Sequence, residues 1–210
     1  FFRAVQQLVI RGNTFGRAQG SLLNLNYGCN DGVIEDNFFE YAPYQFESLI
    51  HKEPHAGIQL IGNRCKVRRN RFSHCGVGIG VDRGNGGTSN GNLIEKNTFL
   101  ECEILGITLN GAAPEFQGQL NDNRIVGNIF DGKAGIDIRL DLPAGGSNQW
   151  GNRIQTNAIP GKVHFFDGGI GDVLTMQNKF PIVMQGNTAA STGTGSASNG
   201  AKGFAILGAA

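Results

Sequence analysis

Along most of the chain, short apolar stretches of two to four residues alternate with polar corners, and two patterns recur within that alternation. One is Gly-Ile-x-aliphatic, written as GIQL at 57–60, GIGV at 78–81, GITL at 106–109 and GIDI at 135–138. The other is Asn-x-Phe after a short apolar run: Asn13–Phe15, Asn37–Phe39, Asn70–Phe72, Asn97–Phe99 and Asn128–Phe130. The Asn-to-Asn steps are 24, 33, 27 and 31 residues. Two motifs in constant order at an irregular period mean that one structural unit is stacked. Helical repeats cannot lose three residues without rotating every later face, whereas strands joined by turns absorb length changes in the turns. The pattern predicts an all-β solenoid, a parallel β-helix of about six to seven coils over 1–187.

The segments ahead of each Asn, among them VIRGN, VIEDN, KVRRN, LIEKN, RIVGN and RIQTN, read as one strand per coil. The Asn then holds the same corner in every coil, where its side chain can bond the backbone of the next. The Phe two residues on points into the core. LTMQN, ahead of Lys179 and Phe180, reads as a further unit, and IVMQGN at 182–187 as a final echo.

Aligning the Gly-Ile strands puts Ile58, Ile79, Ile107 and Ile136 in one inward row and Leu60, Val81, Leu109 and Ile138 in the next. LLNL at 22–25 and KVHF at 162–165 supply outer rungs. One outward row is then Asn24, Gln59, Gly80, Thr108, Asp137 and His164. The row two residues on is Asn26, Ile61, Asp82, Asn110, Arg139 and Phe166. This polar face is the expected functional face. Asp137 beside His164 suits general acid–base work, and Arg139 suits bidentate binding of a uronate carboxylate. Asp82 with Asp137 offers a wider pair of carboxylates. Asn24, Gln59, Thr108, Asn110 and Asp141 are candidate substrate contacts. The alternative for each is an ordinary solvated ladder.

One coil is longer than its neighbours: Phe39 to Gly57 takes 18 residues, against 6, 7 and 5 in the coils that follow. The extra residues carry Tyr41, Tyr44, Phe46, His51, Glu53 and His55, a candidate binding wall with Tyr44, His51 and His55 as contacts. Pro54 breaks the helical spacing a His–His metal pair would need, so no metal or other cofactor is expected.

Composition adds limits. The net charge is +1 with 17% charged residues, which gives no reason to expect nucleic acid, and no apolar run is long enough for membrane insertion. The basic run Lys66, Arg68, Arg69 and Arg71 reads as solvated surface. Four cysteines are present; Cys75 and Cys102 are expected to stack as free thiols, and Cys29 and Cys65 are not expected to pair. No signal peptide is visible, and the opening inside a repeat reads as a fragment. Residues 188–210 form a small-residue tail with an apolar end that needs a partner, by folding back or by oligomer contact.

The repeated aliphatic-Ile-x-x-Asn-x-Phe and Gly-Ile-x-Leu units resemble the right-handed parallel β-helix proteins of the pectate-lyase-like superfamily, over roughly residues 5–187. The resemblance implies a right-handed, single-stranded coil and a polysaccharide or surface glycan as partner. No catalytic motif carries over: the Asn-Thr-Asp, Asp-Asp, Gly-His-Gly and Arg-Ile-Lys of polygalacturonases and the Asp-Pro-His of mannuronan epimerases are missing from the sequence. Asp137, Arg139 and Asp141 match a pectate-lyase calcium site only loosely. Phage tailspikes share no site motif, and the expectation is a tailspike-like homotrimeric domain, on a virion tail or otherwise extracellular, that recognises a glycan, with its depolymerisation left open as a further step. A secreted monomeric lyase, hydrolase or epimerase is the alternative, and a structural spacer or adhesin the third.

Overall fold

The computed structural model describes residues 1–18, 20–42, 56–82, 88–110, 120–133, 136–141, 152–159, 162–166, 182–185, 188–189 and 204–207. Three parallel sheets run the length of the molecule, of seven, eight and seven strands. The first stacks Phe2–Arg3, Leu23–Asn26, Ala56–Leu60, Val77–Asp82, Leu105–Asn110, Ile136–Asp141 and Lys162–Phe166. The second stacks Val9–Arg11, Val33–Glu35, Lys66–Arg68, Leu93–Glu95, Arg124–Val126, Arg153–Gln155, Ile182–Gln185 and Phe204–Leu207. The third stacks Thr14–Gly16, Phe38–Ala42, Arg71–Cys75, Thr98–Leu100, Ile129–Phe130, Ala158–Ile159 and Thr188–Ala189. Each coil contributes one strand to each sheet in order, which is a parallel β-helix.

The Asn-x-Phe motif supplies two interior ladders. Phe15, Phe39, Phe72, Phe99 and Phe130 stack face to face, with centroids 4.8–4.9 Å apart and planes within 9° of parallel. That spacing is the strand spacing itself. In the Asn ladder, the backbone N–H and Nδ2 of Asn70 both donate to Asn97 Oδ1, at 2.9 and 3.1 Å, while Nδ2 also donates to the Ile34 carbonyl at 2.9 Å. Asn37, Asn97 and Asn128 repeat the arrangement. The residue ahead of each ladder Asn sits in the left-handed region, from Gly12 at φ 67° to Thr156 at φ 53°, so the corner turns sharply and needs the amide to satisfy its backbone.

The two motifs are halves of one contact. A Cβ on Gly57 would lie 2.7 Å from the Phe72 ring, and one on Gly78 would lie 2.5 Å from the Phe99 ring and 2.6 Å from the Gly106 carbonyl. Both Gly and the following Ile therefore turn inward, and the stacked Phe ring occupies the space a side chain would need.

The unit expected at LTMQN lies outside the described residues. The strand that follows Arg153–Gln155 in the second sheet is Ile182–Gln185, with Ile154 opposite Met184. Residues 167–181 lie outside the described residues. Within 188–210, Thr188–Ala189 pairs with Ala158–Ile159, and Phe204–Leu207 pairs with Ile182–Gln185. The apolar end thus finds a backbone partner within its own chain.

Candidate functional site

The outer side of the first sheet carries the polar rows, and its register corrects one of their rungs. Asn24 lies opposite Gln59, Gln59 opposite Gly80, and Gly80 opposite Thr108. Thr108 then lies opposite Arg139, not Asp137, and Arg139 opposite His164. The row two residues on runs Asp82, Asn110, Asp141 and Phe166. Ile138 and Leu140, not Ile136 and Ile138, continue the rows of Ile107 and Leu109. The cause is the alternating IDIRL segment. A slip of one residue would turn every side chain over, but a slip of two preserves the alternation, so hydrophobic pattern alone cannot choose between them. The expected Asp137–His164 adjacency is thereby replaced by Arg139–His164. Asp137 falls at the irregularity between Ile136 and Ile138 where the pairing with Lys162–Phe166 shifts. Asp82 and Asp137 no longer share neighbouring rows. Asp82 and Asp141 share one, two rungs and so about 10 Å apart along the backbone.

The row is half-buried over Asn24, Gln59 and Gly80, as is Asp82 beside it, and Thr108 is only 7% exposed. Asn24 Nδ2 donates to Gln59 Oε1 at 2.8 Å, an amide pair running along the solenoid axis. Ser89 Oγ donates to the Asp82 carbonyl, tying the end of that strand to the next turn. Among the described residues, the buried side-chain polar atoms without a hydrogen-bond partner are Asn24 Oδ1, Asn26 Oδ1 and Thr108 Oγ1. All three belong to this one sheet. A buried polar atom left unpaired costs about 1–3 kcal/mol. Beside the row lies a separate apolar cluster of Ala56, Val77 and Leu105, with Ile104 packed on it. Sequence reasoning missed it because the inward turn at Gly-Ile switches the alternation and puts Ala56 on the outer side, 3.8 Å from where a Gly80 Cβ would sit.

Tyr44, His51 and His55 lie outside the described residues. Tyr41, from the same long coil, is 41% exposed and stacks on His74 with centroids 4.9 Å apart. His74 Nδ1 is 2.9 Å from Ser73 Oγ, and its Nε2 is 2.6 Å from Glu101 Oε2. Lys133 also pairs with Glu101, and its ammonium is the main cause holding that carboxyl below the usual range. This half-exposed column was not anticipated. Its signal was present, since Tyr41, His74 and Glu101 each stand two residues after a motif Phe.

The basic run is a neutralised ladder. Glu35, 1% exposed, receives Arg68 Nε at 2.6 Å, Arg69 at 2.8 Å and Arg11 Nε at 2.6 Å. Arg69 also pairs with Asp36 at 2.8 Å. The Arg68 hydrogen bond, followed by those of Arg11 and Arg69, keeps the Glu35 carboxyl below its ordinary range. All four cysteines are free and buried, and Cys65 Sγ donates to the Cys29 carbonyl at 3.2 Å. No group of three potential metal ligands occurs among the described residues. No described helix is long and apolar enough to cross a membrane.

Crystal structures of the periplasmic alginate epimerase AlgG align with it: a double mutant with 15% identity over 92% of this chain at TM-score 0.47, and the unmutated protein with 16% identity over 98% at TM-score 0.44. The chain spans less than half the length of those proteins, 44% and 46% respectively. No curated protein gives a significant match. The family described as right handed beta helix region matches residues 1–159. With three parallel sheets coiled about Phe and Asn ladders, and a family match over most of its length, the chain belongs to the right-handed β-helix family.

Proposed function

We propose that the protein engages a polysaccharide along the outer face of its first sheet, with the chain of sugars lying over Asn24, Gln59, Gly80, Thr108, Arg139 and His164. The observation that carries this reading is the confinement of the unpartnered buried polar atoms to that sheet. A hydroxyl-rich ligand supplies what Asn24 Oδ1, Asn26 Oδ1 and Thr108 Oγ1 lack. Strands about 4.8 Å apart present one rung per pyranose-sized repeat. Asn110, Asp82 and Asp141, one row over, supply further polar contacts, and the segment with Tyr44, His51 and His55 remains the proposed wall.

A second reading, in which the bound glycan is also altered, rests on the register pairing of Arg139 with His164. The Arg139 guanidinium matches a uronate carboxylate, and His164 stands opposite it in register as the candidate base. His164 would then take the C5 proton while Arg139 holds the carboxylate that stabilises the resulting negative charge. Returning a proton from solvent water to the opposite face epimerises the sugar; expelling the O4-linked neighbour, which leaves as an alcohol with the proton His164 took, gives an unsaturated end. Asp137 stands outside this pair. A tailspike-like homotrimer at a virion tail is a narrower proposal. It drew partly on an apolar end that needed a partner, and Phe204–Leu207 has one within the chain.

The test is a binding screen against polymannuronate, polyguluronate, polygalacturonate and dextran, with products analysed by mass spectrometry in deuterium oxide. The expected result is binding that Arg139→Ala abolishes. Deuterium incorporation or unsaturated ends lost in His164→Ala would add the chemistry. Binding of none of the four, or equal binding by Arg139→Ala, contradicts the proposal.

A further inference from the structure

The glycine of the polar row differs in kind from the glycines of the motif. Gly57 and Gly78 are forced, since a Cβ there would lie within 2.7 and 2.5 Å of a Phe ring. At Gly80 a Cβ would meet Ala56 Cβ at 3.8 Å, Thr108 Cγ2 at 3.8 Å and the Ile58 carbonyl at 4.0 Å, all ordinary contact distances, and its φ lies outside the left-handed region. Neither backbone nor packing requires a glycine. Its effect is to interrupt a row of polar side chains between Gln59 and Thr108 with a notch, and Gly80 itself is partly exposed. Thr108 forms one wall. It is 7% exposed, it turns Cγ2 toward the notch, and its Oγ1 on the same carbon has no partner. Rotation about χ1 brings the hydroxyl to the position the methyl holds.

We propose that Gly80 and Thr108 form a specificity-determining subsite that admits one hydroxyl of the bound saccharide, received by Thr108 Oγ1. The subsite rests on the polysaccharide reading above and narrows it to a sugar that presents a protruding hydroxyl toward the sheet at this rung. Both residues carry a stability penalty with no structural return. An alanine fits at position 80 and would restrict the unfolded chain, and a valine at position 108 would remove an unpaired buried hydroxyl at nearly constant shape. That combination is the signature of residues kept for a ligand.

The experiment measures melting temperature and affinity for the same four glycans in Gly80→Ala, Gly80→Leu, Thr108→Val and Thr108→Ser. The subsite requires Gly80→Ala and Thr108→Val to melt at or above the wild-type temperature. It also requires Thr108→Val and Gly80→Leu to bind at least about tenfold more weakly, as expected for a site whose polar group is lost or blocked. Thr108→Ser, which keeps the hydroxyl, binds as wild type. If the variants bind like wild type, the subsite is wrong while the groove stands. If Thr108→Val lowers the melting temperature, the hydroxyl has a structural role and the inference fails. If wild type binds none of the four glycans, groove and subsite fall together.

Discussion

Asn97 shows how much one residue carries in this architecture. Its side chain is fully buried; Oδ1 accepts from the Asn70 N–H and Nδ2, and Nδ2 donates to the Val67 carbonyl and to Asn128 Oδ1. Asn97→Ala leaves groups on both neighbouring coils unpaired, and at roughly 1–3 kcal/mol per buried orphan the loss should reach about 3 kcal/mol or more in a denaturant melt. A loss under about 1 kcal/mol would mean that the neighbours find other partners. The glycines make a matched pair. Gly78→Ala meets the Phe99 ring and the Gly106 carbonyl and should fail to fold or unfold far earlier, whereas Gly80→Ala keeps its melting temperature. The Asn-x-Phe ladder could be read directly from the sequence because its residues serve the interior of every coil. A second ladder, in which Asn92 donates to Asn123 Oδ1 and Asn123 to Asn152 Oδ1, escaped notice. Its coils carry Cys65 or Gly32 at the equivalent corner, so identity does not repeat although position does.

Among the strands, the sheets were legible and the register less so. The first sheet is fixed by Gly-Ile where a Phe ring enforces the glycine, and the alignment of Ile58, Ile79 and Ile107 follows from it. At Ile136–Asp141 no such restraint is readable, and the alternation permits a two-residue slip, which moved Arg139 beside Thr108 and His164. The register of the site row was therefore legible from Asn24 to Thr108 and again at His164, and shifted only at the rung between them. On the second sheet, Glu35 binds three arginines from the two adjacent coils. Its folded pKa lies below the ordinary 4.5, so its ion pairs stabilise the fold above that pH and are lost as pH falls through the lowered value. Glu35→Gln should melt earlier than wild type at pH 7, with the difference shrinking as pH falls below 4.5 and through the lowered folded value. A difference that persists undiminished at low pH would assign the effect to packing and not to charge.

Across the whole molecule, the solenoid places its thiols in the dry interior and its candidate chemistry on one outer face. Burial pushes the thiols of Cys65 and Cys75 up to about 11, so both stay protonated at neutral pH. Native protein at pH 8 should react with a maleimide at well under one thiol per chain, and unfolded protein at all four. Rapid native labelling would show that the coils open. The polar face makes the more consequential demand, since it ties Arg139 to a ligand while leaving equally basic residues elsewhere without one. Arg71, outward on the third sheet and set over the Phe38 ring at 5.5 Å, is the matched control. The most direct measurement is a calorimetric titration of polymannuronate, polyguluronate and polygalacturonate into wild type, Arg139→Ala and Arg71→Ala. Binding by wild type and Arg71→Ala that disappears in Arg139→Ala is the predicted result. Heat that is absent from all three proteins, or lost equally with either arginine, would contradict a glycan groove on the first sheet.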